Sequence, residues 1–316
     1  MSTFANFVGQ EAVKRKLQFH LRAYKASRIV PHLMLVAPRG YGKTMLAVEF
    51  ARLLESKDRI GEAKKILIIN CSTIKSVSAF FDNLIIPYGL HGDKETTFIF
   101  DECSEIPTCV TMSLLTILNP NKENKNKYLY KGSTLVFDFS KQTFIFATTE
   151  PQKVYHAMMD RTRRIDFEDY SNPELAEIMR GVLDKYQINK DLLEVIAESV
   201  RSNGRQAVAM ANDISNYLKG FKKDSFIEQD WSKLCSELSV KPLGLNDIEI
   251  RLMRVLKERG EVKLTCLASI LNMTKESVQY DVETYLQKRN LIHTTTMGRA
   301  LTSKGRNYMD ALDESL

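Results

Sequence analysis

Ala37-Pro38-Arg39-Gly40-Tyr41-Gly42-Lys43-Thr44 follows the apolar run Leu33-Met34-Leu35-Val36. An apolar strand entering a Gly-rich turn that ends in Gly-Lys-Thr is the sequence form of a phosphate-binding loop. There, backbone N–H groups and the N-terminus of the next helix face an anion. Residues 45–54 carry apolar side chains at helical spacing, which completes the order strand, loop, helix. In this pattern Lys43 reaches the β- and γ-phosphates of a nucleotide and the Thr44 hydroxyl sits on Mg²⁺. Ala37 stands where the pattern has its first Gly. A Gly-rich turn beside a structural lysine is the plain alternative, and what decides lies downstream.

Working outward, Phe98-Ile99-Phe100 runs into Asp101-Glu102, a strand ending in two carboxylates. A Mg·ATP site needs one carboxylate for the metal's water shell, here Asp101, and a second to position the attacking water, here Glu102. A third apolar run, Phe144-Ile145-Phe146-Ala147, ends in Thr148-Thr149, where a hydroxyl could order water near the γ-phosphate. Asp160-Arg161-Thr162-Arg163-Arg164 is unusually rich in arginine. An arginine offered to a neighbouring subunit's site stabilises charge developing on the γ-phosphate; a solvated basic loop is the plain reading. Gly204-Arg205 opens a helix expected over 206–217, from which Arg205 can reach back over phosphates.

The rest of the sequence sets the frame. The 316 residues are 44% hydrophobic and 27% charged, a globular composition with room for two or three domains. No 18-residue apolar run exists and residues 1–6 do not resemble a secretory signal, so a cytoplasmic location is expected. The five cysteines are scattered, without CxxC or His-paired spacing, and read as reduced, mostly buried residues and not as a zinc site. The net charge of +6 is concentrated: residues 12–30 and 286–309 each contain several Lys and Arg and no acid. Such segments suit a polyanionic partner, or are simply solvated faces.

Short apolar runs at 34–36, 66–70, 97–100, 143–147 and 164–167 alternate with helical patterns, which predicts an α/β domain with a mostly parallel sheet over residues 1–168. Residues 169–242 read as helical throughout, a lid domain without strands. Residues 243–316 read as helix, helix-turn-helix and β-hairpin, a winged helix.

With these motifs assembled, the chain resembles the AAA+ ATPases, and within them the RuvB family of Holliday-junction branch-migration motors, along nearly its whole length. Phe7-Val8-Gly9-Gln10 is similar to the family's adenine-side entry motif. Residues 38–44 are similar to its Walker A, Asp101-Glu102 to its Walker B, and Ala147-Thr148-Thr149 to its sensor 1, with Thr148 as the sensor. Arg161 falls at the arginine finger, with Arg163 as its rival, and Asn203-Gly204-Arg205 resembles sensor 2. The resemblance implies ATP and Mg²⁺ as cofactors. It places Val8, Gly9, Pro38, Arg39, Gly40, Tyr41, Gly42, Lys43, Thr44, Met45 and Arg205 at the nucleotide, and Thr44 and Asp101 at the metal. Glu102, Asp101, Thr148 and Arg161 would serve hydrolysis. In the wing, His293, Arg299, Lys304 and Arg306 are expected to contact double-stranded or junction DNA along its backbone, and a protein-docking winged helix is the alternative. A hairpin over 125–139 would dock a junction-binding partner protein or touch nucleic acid. The implied activity is ATP-driven DNA translocation or branch migration by a homo-oligomeric ring. The alternatives are a clamp- or helicase-loader, and a DNA-binding regulatory module with a decayed ATPase.

The sequence departs from the family at several points. Arg39 replaces a second Pro, Cys103-Ser104-Glu105 follows the paired carboxylates, and Glu150 follows the threonines.

Overall fold

The computed structural model describes residues 4, 7–56, 61–90 and 95–314. They form two compact units, Met1–Phe226 and Ile227–Leu316. The helical segment expected as one domain over 169–242 therefore falls partly in each.

The first unit is built on a parallel sheet of five strands: β1 (Leu33–Val36), β2 (Lys65–Asn70), β3 (Thr96–Asp101), β6 (Gln142–Thr148) and β7 (Arg163–Asp166), in the order β2-β3-β6-β1-β7. Strands covered on both faces read as unbroken apolar runs, and β1 and β6 are buried along their full lengths. Alternation divides the side chains between two cores. Met34, Val36, Phe98, Phe100, Phe144 and Phe146 join one cluster, while Leu33, Leu35, Ile99, Ile145 and Ala147 join the other. Phe100 stacks on Phe146 with ring centres 4.9 Å apart.

Register brings the strand ends level. Val36 pairs with Thr148, and Asn70 with Asp101, so the carboxyl ends of β1, β3 and β6 share one rim. Around the sheet lie α1 (Glu11–Ser27), α2 (Lys43–Arg52), α3 (Val77–Phe80), α4 (Thr108–Ile117) and α5 (His156–Met159). A hairpin of β4 (Lys125–Tyr130) and β5 (Ser133–Asp138) stands where it was expected.

The helical segment contributes α6 (Asn172–Val182), α7 (Lys190–Ala197) and α8 (Gly204–Phe221). Ser171 and Glu174 close a capping box at the start of α6, which fixes where the chain turns out of the sheet. One expectation fails here. The segment does contain strands, the two-residue β8 (Gln187–Ile188) and β9 (Ser225–Phe226), which pair in parallel. Two residues are too few to leave a period in the sequence.

In the second unit α9 (Glu228–Leu238) precedes a winged helix. It consists of α10 (Asp247–Arg259), α11 (Leu264–Leu271), α12 (Lys275–Ser277) continuing through a π-turn into α13 (Thr284–Lys288), and the wing β10 (Ile292–Thr294) and β11 (Arg299–Leu301). A last helix, α14 (Ser303–Glu314), was not anticipated; its Met309 is buried in the winged-helix core.

Of the five cysteines, Cys71 and Cys103 are buried, Cys235 is half-buried, and Cys109 and Cys266 are exposed on the outer faces of α4 and α11, fewer buried than composition suggested. Among the described residues, no helix is long and apolar enough to cross a membrane.

Candidate nucleotide site

The turn after β1 needs left-handed backbone at two points, and glycine supplies both: Gly40 has φ +82° and Gly42 has φ +84°. Alternating such residues with ordinary ones turns successive N–H groups toward a common hollow. A Cβ on Gly40 would lie 2.0 Å from Asn203 Oδ1, so this position excludes any side chain on steric grounds as well. Ala37 stands where β1 ends and is 4% exposed, with no left-handed backbone to demand a glycine.

Lys43 opens α2 and is buried, its ammonium donating to Ala37 O at 2.8 Å and Pro38 O at 3.1 Å. Burial pulls its pKa below the ordinary lysine value. The charges of Glu102 and Asp101 act against that shift, and those of Arg205 and Arg39 add to it. Three cations therefore converge beside the hollow. Next in the chain, Thr44 Oγ1 donates to Asp101 Oδ2 at 2.9 Å, tying the loop to the end of β3. Among the described residues no three His, Cys, Asp or Glu side chains gather to hold a metal alone. The oxygen pair of Thr44 and Asp101 nonetheless suits Mg²⁺, which binds proteins through one or two oxygens and takes its remaining ligands from phosphate and water.

Glu102 occupies the left-handed region at φ +53°, a conformation disfavoured for a side chain of its size. The Thr149 hydroxyl donates to its Oε2 at 3.0 Å. Thr148, the expected sensor, is turned away: it is fully buried, and its Oγ1 accepts the Glu150 N–H at 3.0 Å. Strand alternation places Thr148 on the face of Phe144 and Phe146, which leaves Thr149 on the side of the carboxylates.

These groups line a cleft of about 720 Å³ that the helical segment completes. Val8, Arg39, Gly40, Gly42, Lys43, Thr44, Met45, Asp101, Glu102 and Arg205 all reach it. Gly9, Pro38 and Tyr41 do not line it, although the Pro38 carbonyl accepts from Lys43. With Phe7 of the entry motif, the apolar wall is formed by Tyr170, Ile178, Gly181 and Val208, with Glu177 beside them; sequence reasoning missed these last five. The helical spacing of 177, 178 and 181 on α6 was the only trace they left.

Arg161 stands apart from the cleft. Its guanidinium donates to Ala157 O at 2.8 Å, Leu115 O at 3.1 Å and Asn119 Oδ1 at 3.3 Å. Arg164 pairs with Asp166 at 2.6 Å, and Arg163 is exposed.

Residues 33–171 match the ATPase family associated with various cellular activities (AAA), and residues 242–310 match the RuvB C-terminal winged helix domain. The chain is a RuvB-like AAA+ ATPase. A Mycoplasma genitalium relative named Holliday junction branch migration complex subunit RuvB is 24% identical over 319 residues, covering 98% of this chain and 96% of the relative. A Prochlorococcus marinus protein of the same name is 25% identical over 324 residues, covering 99% and 88%. Among solved structures, the Thermotoga maritima RuvB Holliday junction branch migration motor superposes with a TM-score of 0.76 at 22% identity, covering 98% of this chain and 97% of that one. The RuvB-like pairing of an AAA domain with this winged helix sets the nucleotide cleft and a second, surface-exposed element on one polypeptide.

In that winged helix His293, Lys304 and Arg306 are exposed. Arg299 is not. Its Nε donates to Glu283 Oε1 at 2.8 Å, and the two side chains are 16% and 1% exposed. A buried carboxylate on the second helix of the helix-turn-helix needs a counter-charge, and the wing supplies it. Arg299 therefore holds wing and helix together and is withdrawn as a DNA contact.

Proposed function

We propose that the protein is an ATP-hydrolysing DNA motor that drives duplex translocation or branch migration as a homo-oligomeric ring in the cytoplasm. The observation that carries this reading is the convergence of Lys43, Arg39 and Arg205 on a hollow beside the Thr44–Asp101 pair and Glu102. ATP enters between the sheet rim and the helical segment, with its base against the apolar wall and its phosphates over residues 39–44. Lys43 then leaves the carbonyls of Ala37 and Pro38 for phosphate oxygens, exchanging neutral acceptors for anionic ones. Thr44 and Asp101 would hold Mg²⁺, which supplies charge neutralisation on the β/γ bridge. Glu102, oriented by Thr149, positions the attacking water and takes its proton.

An arginine from the neighbouring subunit completes the site, and the ring follows from that need. Arg161 is released from its own subunit's carbonyls when it serves, or Arg163 serves in its place. The names of the relatives support DNA junctions as the substrate, with His293, Lys304 and Arg306 on the backbone. In the hairpin, Lys125 and Lys131 are paired with Asp138 and Asp82, while Leu129 is 71% exposed and Val136 47%. That outer face suits a protein partner better than nucleic acid.

The test is ATP turnover by the full chain, alone and with linear duplex, four-way junction or primer-template DNA. Stimulation by duplex or junction, abolished by Lys43→Ala, is expected. Stimulation confined to primer-template ends points to a loader, and activity in DNA binding without turnover to a decayed ATPase. Arg161→Ala and Arg163→Ala, each mixed with wild type, identify the finger by which inactive subunit is partly rescued in a mixed ring.

A further inference from the structure

Tyr41 sits in the middle of the phosphate loop but points away from the cleft. It is 4% exposed, and its hydroxyl donates to Asp169 Oδ1 at 2.5 Å. In return the Tyr170 hydroxyl donates to the Tyr41 carbonyl at 3.2 Å. Asp169 and Tyr170 immediately precede Ser171, the N-cap of α6, so they form the hinge through which the chain leaves the sheet for the helical segment. On the loop's other side, Asn203, the N-cap of α8, donates from Nδ2 to Arg39 O at 2.9 Å. The Arg205 N–H reaches Gly40 O at 3.2 Å. Three consecutive loop residues, 39, 40 and 41, are thus each bonded to the start of a helix in the helical segment.

This arrangement has a mechanical consequence. The turn that would receive phosphate is the same turn that anchors α6 and α8. A shift of its backbone on nucleotide entry cannot be absorbed locally, because Tyr41 is packed in the core and Gly40 lies against Asn203. The tyrosine ring alone would fill the core as well as phenylalanine does. The hydroxyl adds the link to Asp169, an exposed carboxylate at the start of the hinge.

We propose that the Tyr41 hydroxyl, acting through Asp169, is a positioning group that couples occupancy of the phosphate loop to the angle of the helical segment. The proposal rests on the reading of the cleft as the ATP site. The Tyr41 side chain lies outside the cleft and bonds to Asp169; it sets the hinge that lets Arg205 and the apolar wall close.

The experiment uses full-length protein with a donor dye on the exposed Cys109 and an acceptor on a cysteine placed by Lys219→Cys in α8, in a Cys266→Ser background. Energy transfer is followed as ADP or a non-hydrolysable ATP analogue is added, alongside calorimetric affinity and steady-state turnover. Tyr41→Phe is expected to leave affinity within about threefold, to remove at least about half of the nucleotide-induced change in transfer, and to lower kcat about tenfold with KM little changed. Asp169→Asn keeps a side-chain oxygen as acceptor and is expected to behave as wild type. Asp169→Ala reproduces Tyr41→Phe, and the double variant Tyr41→Phe/Asp169→Ala is no worse than either alone. Full transfer change and full turnover in Tyr41→Phe overturn the proposal, as do additive effects in the double variant. If wild type binds no nucleotide, the ATP-site reading falls and takes this proposal with it. If wild type binds and switches but Tyr41→Phe does so equally, only the coupling is lost.

Discussion

The nucleotide cleft and the winged helix both carry charged side chains, but the two use them differently. In the cleft, each charged group is placed by backbone: Lys43 by a loop of left-handed glycines, Asp101 and Glu102 by the end of β3, Arg205 by the capped start of α8. In the winged helix most charge sits on open surface, and one of the expected contacts, Arg299, serves the buried carboxylate of Glu283 instead. A charged residue fixed by a strand end or loop has few other things to do. On a surface the same residue type is free to be solvated, paired or structural.

The largest expected effect tests the first half of that contrast. Glu102→Gln should lower ATP turnover about 10³-fold while nucleotide affinity, read by calorimetry, is retained. Equal loss of binding and turnover would mean that Glu102 supports the loop and does not handle water. On the other side, Arg299→Ala should destabilise the winged helix by about 3 kcal/mol in denaturant unfolding, because Glu283 is left buried and unpaired. A stable variant with weakened DNA binding would restore Arg299 to the DNA surface and erase the contrast.

Smaller effects sharpen it. Thr149→Val should lower kcat about tenfold by freeing Glu102, whereas Thr148→Val should cost about 1 kcal/mol of stability with turnover nearly unchanged. The reverse order would place the functional hydroxyl where the sequence first suggested. Smallest of all, Lys304→Ala and Arg306→Ala should each reduce the salt dependence of DNA binding by a slope of about one, with affinity falling severalfold whatever the DNA sequence. No change in slope would favour a protein-docking role for the wing.

Much of the fold was legible because its signals are local. The five sheet strands appear within a residue or two of where they were expected; for the central β1, β3 and β6, burial on both faces leaves no alternative composition, while the edge strands β2 and β7 are partly exposed. The phosphate loop was legible despite Ala37, because the two glycines that matter are those with positive φ. Thr148 and Thr149 show the limit. Both end the same strand, and only alternation within the packed sheet decides which hydroxyl meets Glu102. Glu177, Ile178, Gly181 and Val208 were invisible as site residues because α6 and α8 meet the cleft through tertiary packing, and an apolar helix face reads the same whether it covers a core or a ligand.

The sequence by itself determined the five strands of the parallel sheet, the phosphate loop, the paired carboxylates and the presence of a winged helix, all of which follow from periodicity and backbone demands over a few residues. Tertiary structure alone decided which threonine orients Glu102, that Arg299 is internal, and that Tyr41 and Asn203 bind the loop to the helical segment. Those depend on groups brought together across stretches of up to 164 residues. No local pattern can specify a partner that only folding supplies.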